Sequence, residues 1–467
     1  MPTLNKKKKF EVPNVYIIIM GIAFVSMLLT HIVPAGAYDR VVNESGREVV
    51  DPATFHLTDP NPQGIFDFFS SFHTGLTEMS DIIFFLFIVG GSFSVIEATG
   101  AIEAGLGKIT QKMSGKERII VPILMFAFSL GGATIGMAEE ALPFVPIMVT
   151  LAISLGFDSM TGAAIVLVGC NAGFSGAFLS PFTVGVAQGI AGLPLTSGMG
   201  FRIFLFIAMN IVMITFVYRY AGKIKKDPKL SSTYEIDIAR EDKLDFNNIK
   251  KMEKKHIIVL VLLGIAIVTF TYGVMELGWY MTELSAVFLI MAVLSTIVTR
   301  MPLNDFAKHL TSGMATLASG AIIVGFARAT LVILTNGGIM DTILYYAAGL
   351  VEGLPTGIAV IGMYLFQCLL SFIIPSGSGL AAVTMPIMAP LGDLLDVTRQ
   401  TTVLAYQIGD GVSNIWTPTS GYFMAGLALA KIPWQKWAKW FLPCMLIAYL
   451  VGGVFVVIAA YIHYGPF

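Results

Sequence analysis

The 467 residues are 55% hydrophobic and only 13% charged, with a mean hydropathy of +0.78, where a soluble domain carries about 25% charge. Twenty-nine Lys/Arg against 30 Asp/Glu leave a net charge of −1, which provides no basic surface for nucleic acid. With 47 Gly, 33 Phe and 24 Met, these values exclude a soluble protein and describe a polytopic membrane protein of closely packed helices.

Along the chain, the basic run Lys6–Lys9 precedes an uncharged stretch at 12–37. It is long enough to cross about 30 Å of hydrocarbon and lacks a small-residue cleavage motif, so it predicts a first transmembrane helix. The loop 38–80 carries Arg40 and Arg47 but no lysine, beside Asp39, Glu44, Glu48, Asp51, Asp59 and Asp67. Residues 82–96 predict a second span with Glu97 at its boundary. Further spans are expected at 203–217, 257–272, 284–298, 315–333 and 441–462, and interfacial segments at 66–77 and 303–310. Trp434, Trp437 and Trp440, interleaved with Lys436 and Lys439, read as an interfacial amphipathic turn.

Two regions are too long for one helix. More than forty uncharged residues lie between Asp158 and Arg202, and about forty between Glu352 and Asp393, both interrupted by Gly, Pro, Ser and Asn. Lipid cannot satisfy a broken backbone, so such breaks must be buried in protein or line a cavity. The pattern predicts two re-entrant hairpins (119–155 and 356–394) and two broken transmembrane helices (159–190 and 401–429).

Charge bias sets the orientation. The linker 221–255 holds ten Lys/Arg, and 108–118, 300–308 and 431–439 are also basic. The positive-inside rule therefore places the N-terminus inside, loop 38–80 outside and the C-terminus outside, with nine crossings. The halves 12–220 and 280–463 echo each other around a connecting helix at 256–276. Thr99–Ile102 resembles Asn336–Ile339, Pro146–Met148 recurs as Pro386–Met388, and Asn171–Phe178 lies against Gly409–Trp416, at offsets of about 237 to 240 residues. This is the inverted-repeat plan of secondary transporters, whose site forms where broken helices meet near the midplane.

Candidate site residues gather at those breaks. Glu139 and Glu140 end the glycine-rich tip of the first hairpin. An acid at membrane depth must be paired, protonated or bound to a cation; the alternative is a tip that reaches cytoplasmic water. Ser376 and Ser378, in Pro375–Gly379 at the second tip, precede an apolar helix whose N–H groups suit a carboxylate, unless they only cap it. Asn171, Ser175 and Ser180-Pro181 mark the first break, and Asn414, Thr417, Thr419 and Ser420 the second. Gly173 and Gly409 let backbone carbonyls approach an ion, and Ser413 adds a hydroxyl oxygen suited to Na⁺. Asp410 is the only charge between Arg399 and Lys431, placed for Na⁺ or H⁺ coupling or for capping the next half-helix. Arg328, isolated in its span, suits a substrate carboxylate, a protein acid such as Asp410, or snorkelling to the interface. Cys170, Cys368 and Cys444 read as core residues. No metal-ligand spacing, nucleophile motif or ATP-binding loop appears, so neither an enzyme nor a pump is indicated, and polar residues at midplane breaks argue against the continuous pore of an ion channel.

On the segments 136–140, 375–379, 409–414 and 417–419, the chain resembles the C4-dicarboxylate anaerobic carrier and basic-amino-acid-antiporter-like family of the ion transporter superfamily, over nearly its whole length. The resemblance implies a bacterial inner-membrane protein, a scaffold and a transport domain, a homodimer, and elevator-type alternating access with no cofactor beyond Na⁺ or H⁺. It aligns Ser175 and Ser413-Asn414 with the superfamily's binding breaks. The sequence departs from the Ser-Asn-Thr pattern of the dicarboxylate/sodium branch, with Ser175-Gly176-Ala177 and Ser413-Asn414-Ile415. Together with the Glu-Glu tip this favours an amino acid, including a basic one, over a dicarboxylate or other carboxylate as substrate, carried by antiport or ion-coupled symport.

Overall fold

The computed structural model describes the chain apart from residues 1–13, 43–47, 52, 103, 106–107, 109–115, 135, 181–182, 196, 241–251, 278, 280, 352–353 and 466–467. The run Lys6–Lys9, Glu44, Arg47, Pro181 and most of the basic charge of 108–115 and 241–251 lie outside the described residues.

The chain forms an all-α, multi-spanning membrane fold with two short β-ribbons in its first long loop. Its helices are α1 Val15–Leu29, α2 Ile65–Glu78, α3 Ser80–Ala98, α4 Ile120–Thr134, α5 Phe144–Ser154, α6 Ser159–Ser175, α7 Val184–Ile190, α8 Met199–Lys226 and α9 Tyr234–Ile238. They continue as α10 Lys254–Leu277, α11 Met281–Thr299, α12 Leu303–Asn336, α13 Met340–Val351, α14 Thr356–Ile373, α15 Gly377–Leu394, α16 Arg399–Ser413, α17 Gly421–Leu429 and α18 Trp434–Tyr461. Among the described residues, seven helices are long and apolar enough to cross a membrane: α3, α4 with its preceding turn, α8, α11, α12, α14 and α18.

Local chemistry sets several boundaries. Asp158 caps α6 by accepting from the Thr161 N–H at 2.9 Å, Ser376 caps α15 and Thr398 caps α16. Segment 303–310, expected along the interface, forms the start of α12. At 34 residues and 1.5 Å per residue, α12 is longer than the hydrocarbon core is thick. Segment 66–77 lies within α2, which packs along α12.

The helices pack as two groups. In the first, α1, α2 and α3 lie on α12, α11 lies on α3 and α10 on α11. In the second, α4, α5 and α8 lie on α6, while α14, α15 and α18 lie on α16. Contacts of α6 with α16 and of α7 with α15 join its halves, and α17 rests against α12 of the first group. Close approach depends on missing side chains. A Cβ at Gly313 of α12 would fall on the Gly90 carbonyl of α3, and one at Gly173 of α6 on the Ser129 carbonyl of α4. Both obstacles are backbone, which cannot step aside. Gly173→Val is therefore expected to cost about 3 kcal/mol or more. The check is the thermal midpoint and monodispersity of the detergent-solubilised protein; an unchanged midpoint would mean that α4 moves freely off α6.

The tryptophan turn needs correction. Trp437 is wholly buried rather than interfacial. Its indole N–H donates to the Ile415 carbonyl at 2.9 Å, and that of Trp434 to the Trp416 carbonyl at 2.9 Å. These carbonyls belong to the segment where α16 stops, so the indoles supply donors to carbonyls that no further helical turn satisfies. The described part of the linker is likewise docked. The Asp158 carboxylate accepts from Tyr220 (2.5 Å) and Ser231 (2.6 Å), and Asp237 accepts from the Ser159 N–H (3.0 Å). Arg240 bonds the Ala430 carbonyl at the end of α17.

Candidate functional site

A cavity of about 520 Å³ lies between the two groups, within the usual range for a small-molecule site. The second group contributes the end of α4 through Glu139–Glu140, the start of α15 at Ser376–Ser378, Asn171 and Phe174 of α6, Asn414, Thr419 and Tyr422. The first contributes Met79, Ile82, Trp279, Val324, Ala327, Arg328 and Leu331.

The acidic wall arises where α4 ends. Beyond Thr134 the chain leaves the helix and passes through a 3-10 turn at Glu139–Ala141 before α5 begins. The Glu140 carboxylate accepts from the Ala138 N–H at 3.0 Å, tying it to this turn. Both glutamates are half-buried on the cavity wall. The facing wall is mostly aliphatic apart from Trp279 and Arg328. The Arg328 guanidinium is held by Glu78 at 2.5 Å, so its partner in this structure is not Asp410.

Asp410 sits behind the wall, fully buried. One carboxylate oxygen accepts from Ser371 of α14 at 3.0 Å. The other has no partner of full hydrogen-bond geometry among the described residues, although the Asn414 side chain lies against the carboxylate, and the Asn414 side-chain oxygen is itself unpartnered. That free oxygen lies beside Gly377, where an added Cβ would come within 3.2 Å of it. The positive N-terminus of α15 thus faces a protein carboxylate as well as the cavity. Tyr406 fastens the same tip by donating to the Gly377 carbonyl at 2.6 Å.

Of the residues singled out from sequence, Glu139, Glu140, Asn171, Arg328, Ser376, Ser378, Asn414 and Thr419 line this one cavity. The others stand behind or beside it. Ser175 donates to the Asn171 carbonyl at 2.8 Å. Ser413 donates to the Gly409 carbonyl at 2.6 Å and lies 2.6 Å from the Tyr449 hydroxyl. Thr417 is 2.7 Å from Thr419, whose hydroxyl donates to the Phe372 carbonyl at 2.5 Å. Gly173 and Gly409 each face a neighbouring helix, α4 and α14. Sequence reasoning did not single out Tyr422, which bonds Asn171, or Thr183, Ser371, Tyr406 and Trp279. The only signal for Tyr422 is its position just past the Thr417-Pro418-Thr419 break.

Comparison with known proteins gives this architecture its relatives. The chain matches the family described as DcuC, C4-dicarboxylate anaerobic carrier, over residues 12–461. It is 34% identical over 471 residues to YfcC of Escherichia coli (strain K12), provisionally described as a basic amino acid antiporter, with 92% of this chain and 93% of that one covered. An uncharacterised protein of Haemophilus influenzae is 29% identical over 506 residues, covering 98% of this chain and 99% of its own. The crystal structure of the Alcanivorax borkumensis YdaH transporter aligns with 97% of this chain and 100% of its own at 16% identity, with a TM-score of 0.44.

Proposed function

The chain belongs to the C4-dicarboxylate anaerobic carrier family, and from that premise we propose that it carries an amino acid, with preference for a cationic side chain, across the bacterial inner membrane. As a member of that family it is a membrane transporter of small polar or charged solutes, not an enzyme. The observation that carries the finer reading is the charge around the cavity. Among the described residues its charged lining is Glu139, Glu140 and Arg328, and Arg328 is already paired with Glu78. The remaining field is negative and favours an ammonium or guanidinium. The α-carboxylate of such a substrate is assigned to the N-terminus of α15 at Ser376–Ser378. The description of the Escherichia coli relative as a basic amino acid antiporter agrees with this.

In this reading α4–α8 and α14–α18 form the moving body, and α1–α3 with α10–α12 the scaffold of an elevator that works as a dimer. The two halves are inverted repeats, each with a re-entrant hairpin and a broken helix, and the N-terminus is inside. Asp410 with the Asn414 oxygen holds the coupling Na⁺ or H⁺, because a buried carboxylate with one free oxygen needs a positive partner. Arg328 favours a second reading, a dicarboxylate carrier in which it leaves Glu78 for a substrate carboxylate.

A competition series in proteoliposomes separates the two. Arginine and ornithine are expected to compete strongly, a neutral amino acid weakly, and succinate and acetate poorly. Strong competition by succinate with none by arginine would establish the dicarboxylate reading instead.

A further inference from the structure

Trp279 has no role in the reading so far. It stands in the turn between α10 and α11 and lines the cavity. Its indole lies on Gly273 of α10, where an added Cβ would fall within contact of the ring carbons. Its backbone N–H donates to the Gly273 carbonyl at 3.0 Å. Behind it lies the apolar cluster of Phe85, Met281 and Leu284. The ring is therefore held in one place, yet it remains half-buried rather than sealed. The other aromatic residues on the cavity are less available. Tyr422 is 7% exposed with its hydroxyl engaged by Asn171, and Phe174 is 8% exposed.

We propose that Trp279 is a specificity-determining residue whose indole face receives the cationic end of the substrate side chain. The inference rests on the amino-acid reading above. Tryptophan has the strongest ring quadrupole, and a cation over it gains most where water is excluded. A guanidinium or ammonium drawn to Glu139 or Glu140 from one body meets this ring on the other. Carboxylates alone reward any positive charge, whereas a flat π face favours the planar guanidinium of arginine and rejects an anion.

Citrulline tests this, because it has nearly the shape of arginine without the charge. In proteoliposomes the native protein is expected to prefer arginine over citrulline. Trp279→Leu should shrink that preference by roughly 3- to 30-fold with little change for citrulline, and Trp279→Phe should fall between. A monodisperse W279L protein that keeps the full arginine preference overturns this inference alone. Equal competition by arginine and citrulline in the native protein overturns the cationic-substrate reading, and this inference with it. Should W279L not fold, fluorinated tryptophans placed at 279 by nonsense suppression keep the ring's shape while draining its face. Arginine affinity falling with each added fluorine supports the inference, and a flat response overturns it.

Discussion

Asp410→Asn is expected to cut coupled transport by at least about tenfold in rate, while folded protein still reaches the membrane. The asparagine keeps the side chain's shape and can still accept from Ser371, which donates at 3.0 Å in the native protein. What disappears is the negative charge at a fully buried position whose second oxygen has no partner of full hydrogen-bond geometry among the described residues. A carboxylate oxygen buried in this way is costly unless a proton or a cation meets it. The partnerless Asn414 oxygen nearby adds a ligand of the hard type that Na⁺ takes. Uptake into proteoliposomes with imposed Na⁺ and H⁺ gradients decides the point. If D410N transports at the native rate with unchanged dependence on both gradients, Asp410 serves only as a counter-charge for the N-terminus of α15, beside which its free oxygen lies.

That second role was not visible in sequence, and the reason is physical. Hydropathy and charge locate the spans because lipid demands about 20 apolar residues per crossing, and the helices found around 82–96, 203–217, 284–298 and 441–462 answer that demand. The direction of a side chain on a helix is another matter, since it is read from an amphipathic face. Every residue of α6 and all but the first of α16 are buried, so α6 has no polar face to give its phase away, and the polar stripe of α16 at Gln400, Gln407 and Asp410 faces protein rather than water. Ser175 and Asn171 look equivalent as a sequence, yet only Asn171 reaches the cavity. Ser413 is turned toward Tyr449 of α18. Long-range partners are equally hidden, as with Arg328 and Glu78, 250 positions apart. Trp434 and Trp437 have an interfacial composition, but the open carbonyls of residues 415–416 claim their N–H groups.

Glu139→Gln is expected to weaken arginine binding by roughly 10- to 100-fold, the value of one hydrogen bond to a charged group, and Glu140→Gln to weaken it less. The two neighbours differ in what already occupies them. The Glu140 carboxylate accepts from the Ala138 N–H at 3.0 Å, a bond that glutamine's carbonyl can keep, so the turn at Glu139–Ala141 should hold its shape in both variants. Among the described residues, no comparable tie to another residue's backbone fixes the Glu139 carboxylate, which shares the cavity wall. Removing its charge leaves a substrate cation facing one acid fewer, with Arg328 still held by Glu78. Neutral amino acids should lose far less, so the ratio of arginine to neutral competition is the informative quantity and general misfolding would not mimic it. The measurement is the same competition series run on both variants. If both bind arginine as the native protein does, the acidic tip plays no part in recognising a cation. Succinate competing well in both variants and in the native protein would give the cavity to a dicarboxylate, with Arg328 released from Glu78 to hold it.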